Sequence, residues 1–173
     1  TRDTTISANP DAGQSLMYWT GAGSGPYTLA HGLSKAPEFF LYKNMNDTGS
    51  PYVWTDRLTG SFVKTLYLNS TTGETTSGTM DAVSSTLVTV PDGTATDSPN
   101  RLIAWAFHSV DGYSKFGSYE GNGNDDGPFI YLGFRPKFII FKTIDDTDAW
   151  VMHDSERGWR MNQNLRNYWF DAS

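Results

Sequence analysis

Apolar residues along this chain fall in short runs, rich in aromatic and β-branched side chains, each bounded by Gly, Pro, Asn or Asp. Runs of that length with that punctuation are strands separated by turns, and helical spacing is almost absent. The pattern predicts strands at residues 38–43, 52–56, 63–69, 86–90, 102–108, 115–119, 128–132, 137–142 and 150–153, with weaker candidates at 16–20 and 27–31. Phe39-Phe40-Leu41-Tyr42 and Phe138-Ile139-Ile140-Phe141 are continuously apolar, so both read as central strands covered on two faces. Within 102–108, Ile103, Trp105 and Phe107 alternate with Leu102, Ala104 and Ala106, and the larger set is expected to face the core. Residues 70–78 and 91–100 lack periodicity and read as exposed connections. The tail at 159–170 reads as either a short helix or an irregular apolar closure. The expected fold class is all-β, a β-sandwich of jelly-roll-like or related two-sheet type, with residues 1–173 forming a single compact region.

A unit also recurs about one hundred residues on, which signals internal repetition. Trp19-Thr20-Gly21-Ala22-Gly23, Gly25-Pro26-Tyr27 and Pro37-Glu38-Phe39-Phe40-Leu41-Tyr42-Lys43 return as Tyr119-Glu120-Gly121-Asn122-Gly123, Gly127-Pro128-Phe129 and Pro136-Lys137-Phe138-Ile139-Ile140-Phe141-Lys142. Each copy then passes an acidic turn into Tyr52-Val53-Trp54-Thr55-Asp56 or Trp150-Val151-Met152-His153-Asp154. A repeat over 17–56 and 117–154 predicts two structurally similar half-units. Duplication argues for scaffolding, because a catalytic constellation needs one asymmetric arrangement of different groups. The first copy continues through further strand-like segments that the second lacks, and the favoured expectation is that the chain is a piece of a longer polypeptide.

Composition narrows the chemistry. With no cysteine, disulfides, thiolate metal sites and cysteine nucleophiles are excluded. A net charge of −6 with scattered Lys and Arg repels phosphate backbones and anionic lipid, so neither nucleic acid nor a membrane is an expected partner. No apolar run approaches the ~20 residues that span a bilayer. Charged residues make up 18%, below the roughly 25% of ordinary soluble domains, so Thr, Ser, Asn and Gly must supply the polar surface.

The candidate sites are few. Gly21 to Gly25 precedes a strand and not a helix, so it reads as a hairpin turn and not a phosphate loop. His31, His108 and His153 lack zinc-site spacing, and no Gly-x-Ser-x-Gly motif accompanies His153-Asp154. Asp125, Asp126, Asp145, Asp146 and Asp148 bring hard oxygen ligands into turns, which suits Ca²⁺, although turn chemistry accounts for Asp equally well. The expected cofactor is therefore none, with Ca²⁺ as the alternative. Aromatic residues reach 14%, more than one sandwich needs, and exposed rings stack on sugars or anchor interfaces. Trp54, Trp150, Trp159, Tyr168 and Trp169 are the candidate ligand-binding residues.

Gly32-Leu33-Ser34-Lys35-Ala36-Pro37, Leu68-Asn69-Ser70, Ala104-Trp105-Ala106-Phe107 and Asp111-Gly112-Tyr113-Ser114-Lys115-Phe116-Gly117-Ser118-Tyr119 with Gly121-Asn122-Gly123 carry a resemblance. Over about residues 18–167 the chain is similar to a repeated β domain of marine-phage tail and other structural proteins, departing at Ser34, where Gly is usual. The resemblance implies a virion context and β architecture and leaves the exact task open; the expected function is a non-enzymatic tail-fibre or receptor-binding module that recognises a host surface, with a host-surface glycan among its expected partners. The resemblance also implies as partners other virion proteins and further copies of the chain, a homo-trimer being favoured. A capsid-decoration or purely structural module is the alternative, and a polysaccharide depolymerase, which needs paired carboxylates in a groove, is a further one.

Overall fold

Residues 14–20 read Gln-Ser-Leu-Met-Tyr-Trp-Thr, and their burial alternates with the sequence: Ser15, Met17 and Trp19 are buried while the other four are exposed. A strand with one face on a core has this signature. The structure, a computed structural model, describes residues 2–60, 64–76, 80, 82–93 and 99–156, together with the backbone of 168–169. Its strands are β1 (Thr5–Asn9), β2 (Gln14–Thr20), β3 (Tyr27–Ala30), β4 (Phe39–Asn44), β5 (Tyr52–Thr55), β6 (Leu66–Tyr67), β7 (Ala82–Val83), β8 (Leu87–Val90), β9 (Arg101–Phe107), β10 (Phe138–Phe141), β11 (Val151–Asp154) and β12 (Tyr168–Trp169). The fold is all-β, with no helix among the described residues.

A six-stranded sheet runs β1-β2-β9-β4-β5-β6, and a three-stranded sheet runs β3-β8-β7, every neighbouring pair antiparallel. Their facing sides form one cluster: Met17, Trp19, Phe40, Tyr42, Trp54, Leu102, Ala104 and Ala106 from the large sheet meet Leu29, Val88 and Val90 from the small one. This is the sandwich that the alternation predicts. Tyr42 stacks on Tyr52 with centroids 4.9 Å apart, and Tyr67 meets Tyr52 edge-on at 5.3 Å.

Strand β9 reverses one expectation. Ala104 and Ala106 are fully buried, whereas Ile103, Trp105 and Phe107 lie on the outer face of the sheet. The cause is what stands beside them. Ala104 sits between Met17 and Tyr42, and Ala106 between Ser15 and Phe40. Cross-strand neighbours are only about 5 Å apart at Cβ, so Met17 and Tyr42 beside Ala104, and Phe40 beside Ala106, leave room for a methyl on the strand between them.

The segments 115–119 and 128–132, expected as strands, form none. Strands β1 and β7, unremarkable in sequence, do form. The expected strand at 63–69 shrinks to Leu66–Tyr67 among the described residues. The β1–β2 turn is closed by Gly13, at φ +64°, where an added Cβ would lie 2.5 Å from the His108 carbonyl oxygen. Only glycine fits that approach.

The third sheet, β10-β11-β12, repeats the register of β4-β5-β6. Phe39 faces Thr55 as Phe138 faces Asp154, and Tyr42 faces Tyr52 as Phe141 faces Val151. Tyr52 faces Tyr67 as Val151 faces Trp169. The register places Val151, and not Trp150, at the position of Tyr52, one residue away from the alignment that the sequence suggests. Each first hairpin closes alike: Lys43 Nζ bonds the Asn44 carbonyl and, at 2.9 Å, Asp47 Oδ1, while Lys142 Nζ bonds the Thr143 carbonyl at 2.5 Å. The likeness of strand pairing is confined to these three strands, because the second copy's equivalents of β2 and β3 are not strands.

The third sheet docks on the outer face of the first at β5 and β6. Trp150 is buried with Val53, Leu58 and Leu66, and Ile140 and Ile144 pack against them. Trp150 Nε1 donates to the Tyr67 carbonyl at 2.9 Å, and the Glu74 amide donates to the Ile144 carbonyl at 2.7 Å. A Cβ on Gly73 would lie 2.7 Å from that same carbonyl oxygen, so the glycine permits the approach.

His31 is buried behind β3. Its Nδ1 accepts from the Leu33 amide at 3.1 Å, which leaves the proton on Nε2 to meet the Ser84 carbonyl at 3.1 Å. Burial holds its pKa below 6.5, although the Ser84 bond opposes this. A folded-state pKa below the unfolded one means that the stability it contributes is complete above pH 6.5 and is lost progressively as pH falls from there through the lower folded-state value.

Two outcomes follow from the packing. Ala104→Leu should cost about 1–3 kcal/mol in urea unfolding by overpacking; a neutral result would place Ala104 away from a filled interior. At pH 6.5, NMR should find the neutral form of folded His31, with its proton on Nε2, in excess over the protonated form, and the melting temperature should fall as pH drops below 6.5. A folded His31 that is mostly protonated at pH 6.5 contradicts the burial argument.

Candidate functional site

The outer face of the six-stranded sheet carries three rows of side chains across β1, β2, β9 and β4. They are Thr5–Tyr18–Ile103–Lys43, Ser7–Leu16–Trp105–Leu41 and Asn9–Gln14–Phe107–Phe39. The third sheet covers the continuation of the middle row at Val53 and Leu66, but not the β1–β2–β9 part. There Leu16 and Tyr18 remain 39% and 37% exposed, and Trp105 and Phe107 are half-buried.

A shallow open groove of ≈ 290 Å³ runs over this face, lined by Ser7, Asn9, Gln14, Leu16, Trp105 and Phe107. A second of ≈ 470 Å³ lies at the other end of the same hairpin, where Tyr18 meets Arg2, Asp3 and Thr5. Phe116 closes the Phe39–Phe107 corner, its ring 5.7 Å from Phe39 and 6.0 Å from Phe107. The Asn9 side-chain oxygen accepts from the Ala12 amide at 3.1 Å, fixing the turn above the groove. The floor is therefore an apolar and aromatic surface on a hydrogen-bonded sheet, with hydroxyl and amide groups along its β1 side. Such a surface stacks a ring and bonds its substituents.

The aromatic residues singled out from sequence lie elsewhere. Trp54 is 1% exposed inside the sandwich, and Trp150 is 4% exposed where it seals the third sheet to the first. Neither offers a face to a ligand: cross-strand packing at Trp54 and the docking of the third sheet at Trp150 consume both. Trp159 and the side chains of Tyr168 and Trp169 lie outside the described residues. Sequence reasoning assigned Trp105 to the core and so missed the groove. The signal was present in Ala104 and Ala106, whose small side chains suit a face crowded by Met17, Phe40 and Tyr42.

Among the described residues no three Asp, Glu or His side chains converge as a metal-binding set. Asp145, Asp146 and Asp148 surround Lys142, whose pKa is lowered by burial while those carboxylates pull the other way. Asp146 Oδ1 accepts from the Thr147 amide, and the Asp148 carboxylate from Thr143 Oγ1, as turn residues do. Asp125 and Asp126 lie in an exposed turn where the Asp126 amide donates to Asn124 Oδ1 at 3.3 Å.

One carboxylate pair is close. Arg57 bonds both Glu38 and Asp56, at 3.1 Å each. Burial would raise the Glu38 pKa, but bonds from Ser109 and the Arg57 charge outweigh it and hold the carboxyl below its ordinary value. Burial and the nearby Glu38 charge raise Asp56. The Glu38 carboxylate accepts from the Ser109 amide just past β9, so the group fastens the ends of β4, β5 and β9 together and lines neither groove. In the third sheet the charges are exchanged, with Lys137 in the place of Glu38 and Glu156 in that of Arg57.

A family model described as a domain of unknown function, DUF7483, matches residues 1–168. The chain belongs to this family. Neither the curated proteins nor the solved structures give a match. The family description assigns no activity.

Trp54→Ala should cost about 3–5 kcal/mol, as large-to-small core changes do. Trp105→Ala should cost about 1 kcal/mol, in keeping with partial burial. Equal losses for the two variants in urea unfolding would show that the outer face is as covered as the core.

Proposed function

We propose that the chain is a non-enzymatic recognition module of a bacteriophage virion, of tail-fibre or receptor-binding type, that holds a host-surface saccharide across the outer face of its large sheet. The observation that carries this reading is the groove at Trp105. A half-exposed indole there is flanked by Leu16 and Phe107 and edged by Gln14, Asn9 and Ser7 on a sheet that cannot collapse around it. Sugar rings present an apolar face to an indole and hydroxyls to amide and hydroxyl partners, and a shallow open site suits a chain of them. The negative net charge favours a neutral or cationic saccharide. In this reading the chain acts at the particle surface, beside other virion proteins and in a homo-oligomer, a trimer by the family resemblance. The Glu38–Asp56 pair, tied to Arg57 and lining neither groove, gives depolymerase chemistry no support.

Glycan-array and host-polysaccharide retention by the assembled protein test this. Retention should be saturable, weak per site, and reduced at least tenfold by Trp105→Ala and severalfold by Gln14→Ala. Retention that survives Trp105→Ala, or no retention of any saccharide, overturns the assignment.

A further inference from the structure

Strand β10 occupies in the third sheet the place that β4 occupies in the first, by the shared register of β4-β5-β6 and β10-β11-β12. The other edge of β4 pairs with β9 from Phe39 opposite Phe107 to Asn44 opposite Leu102. β9 in turn pairs with β2, and β3 pairs with β8. The other edge of β10 has no strand beside it among the described residues.

The rest of the second copy behaves as if the equivalents of β8 and β9 were missing. Residues 115–119 match β2 and 128–132 match β3, yet neither is a strand. A strand sequence without a neighbour has no ladder to join. Their large side chains are exposed: Tyr119 52%, Phe129 91%, Ile130 45% and Tyr131 80%, with Phe138 of β10 at 54%. In the first copy Trp19 and Leu29 are buried, under β8 and β9 among others.

We infer that the open edge of β10 is a docking site for an extended strand donated by a neighbouring polypeptide of the assembly, running antiparallel to β10 and built like β9. The first copy specifies that occupant. It has small residues alternating with large apolar ones, as Ala104 and Ala106 alternate with Ile103, Trp105 and Phe107. Its main chain bonds the edge amides of β10, the mode of strand addition that gives affinity through backbone and specificity through alternate side chains. Charge adds a further requirement. Glu38 receives the Ser109 amide just beyond β9, but Lys137 stands in the equivalent position. The donated strand therefore carries an acidic residue where β9 is followed by Ser109.

The test uses the full chain and synthetic peptides of residues 99–110 of this same sequence, in one unchanged and in the other with Ser109→Asp. Titration is followed by amide exchange. Both peptides should bind saturably and slow exchange at least tenfold for the β10 amides that point away from β11. The S109D peptide should bind at least threefold tighter, and Lys137→Glu in the protein should invert that order. A peptide N-methylated at its β10-facing amides should not bind, which needs no change to the protein. The proposal is overturned if β10 edge amides are already protected in the dilute chain, or if protection rises with protein concentration alone, which would mean that a second copy pairs there. It is overturned equally if peptides protect only the Trp105 face, or if Lys137→Glu leaves the order unchanged. Saccharide retention at Trp105 is read separately, so either assignment can fail without the other.

Discussion

Backbone pairing on both sides of β9 is the constraint around which this molecule is organised. The strand bonds β2 over Gln14–Thr20 and β4 over Phe39–Asn44, and so joins two hairpins that have no other sheet contact. Its inward residues Ala104 and Ala106 are small because Met17 and Tyr42 crowd the first and Phe40 the second. Its large residues are consequently turned outward. One steric fact therefore closes the interior and also places Trp105 where a ligand could meet it.

The same dependence shows where β9 has no counterpart among the described residues. The β10-β11-β12 sheet forms because its three strands supply one another's partners, and it buries Trp150, Ile140 and Ile144 on the back of β5 and β6. Segments whose partner would lie on a second β8 or β9 stay irregular despite strand-like sequences. Hydrophobic residues such as Phe129 and Tyr131 are then exposed for want of a ladder and not for want of apolar character. Such exposed apolar surface lies next to a strand edge that has no partner among the described residues, and an edge of that kind is a template for further pairing.

Rigidity links the two surfaces. The groove floor lies on three mutually bonded strands, with the hairpin turn held by Gly13 and by the Asn9 to Ala12 bond. A site on such a support loses little order on binding. The two hairpins, though paired alike, carry exchanged charges at their ends, Glu38 and Arg57 in one and Lys137 and Glu156 in the other.

Period and punctuation determine local structure, and in this chain they were sufficient for the strands β2, β3, β4, β5, β8, β9, β10 and β11, for the sandwich class and for the recurrence of a hairpin ending in Lys43 and Lys142. Those properties depend on residues within a few positions of one another. Which face of β9 is buried, that Trp54 and Trp150 are enclosed, and that 115–119 and 128–132 are not strands were decided only in three dimensions. Each depends on the volume or the hydrogen-bonding edge of a neighbour far away in sequence. Alternation defines two faces of a strand but does not say which of them the rest of the molecule will fill.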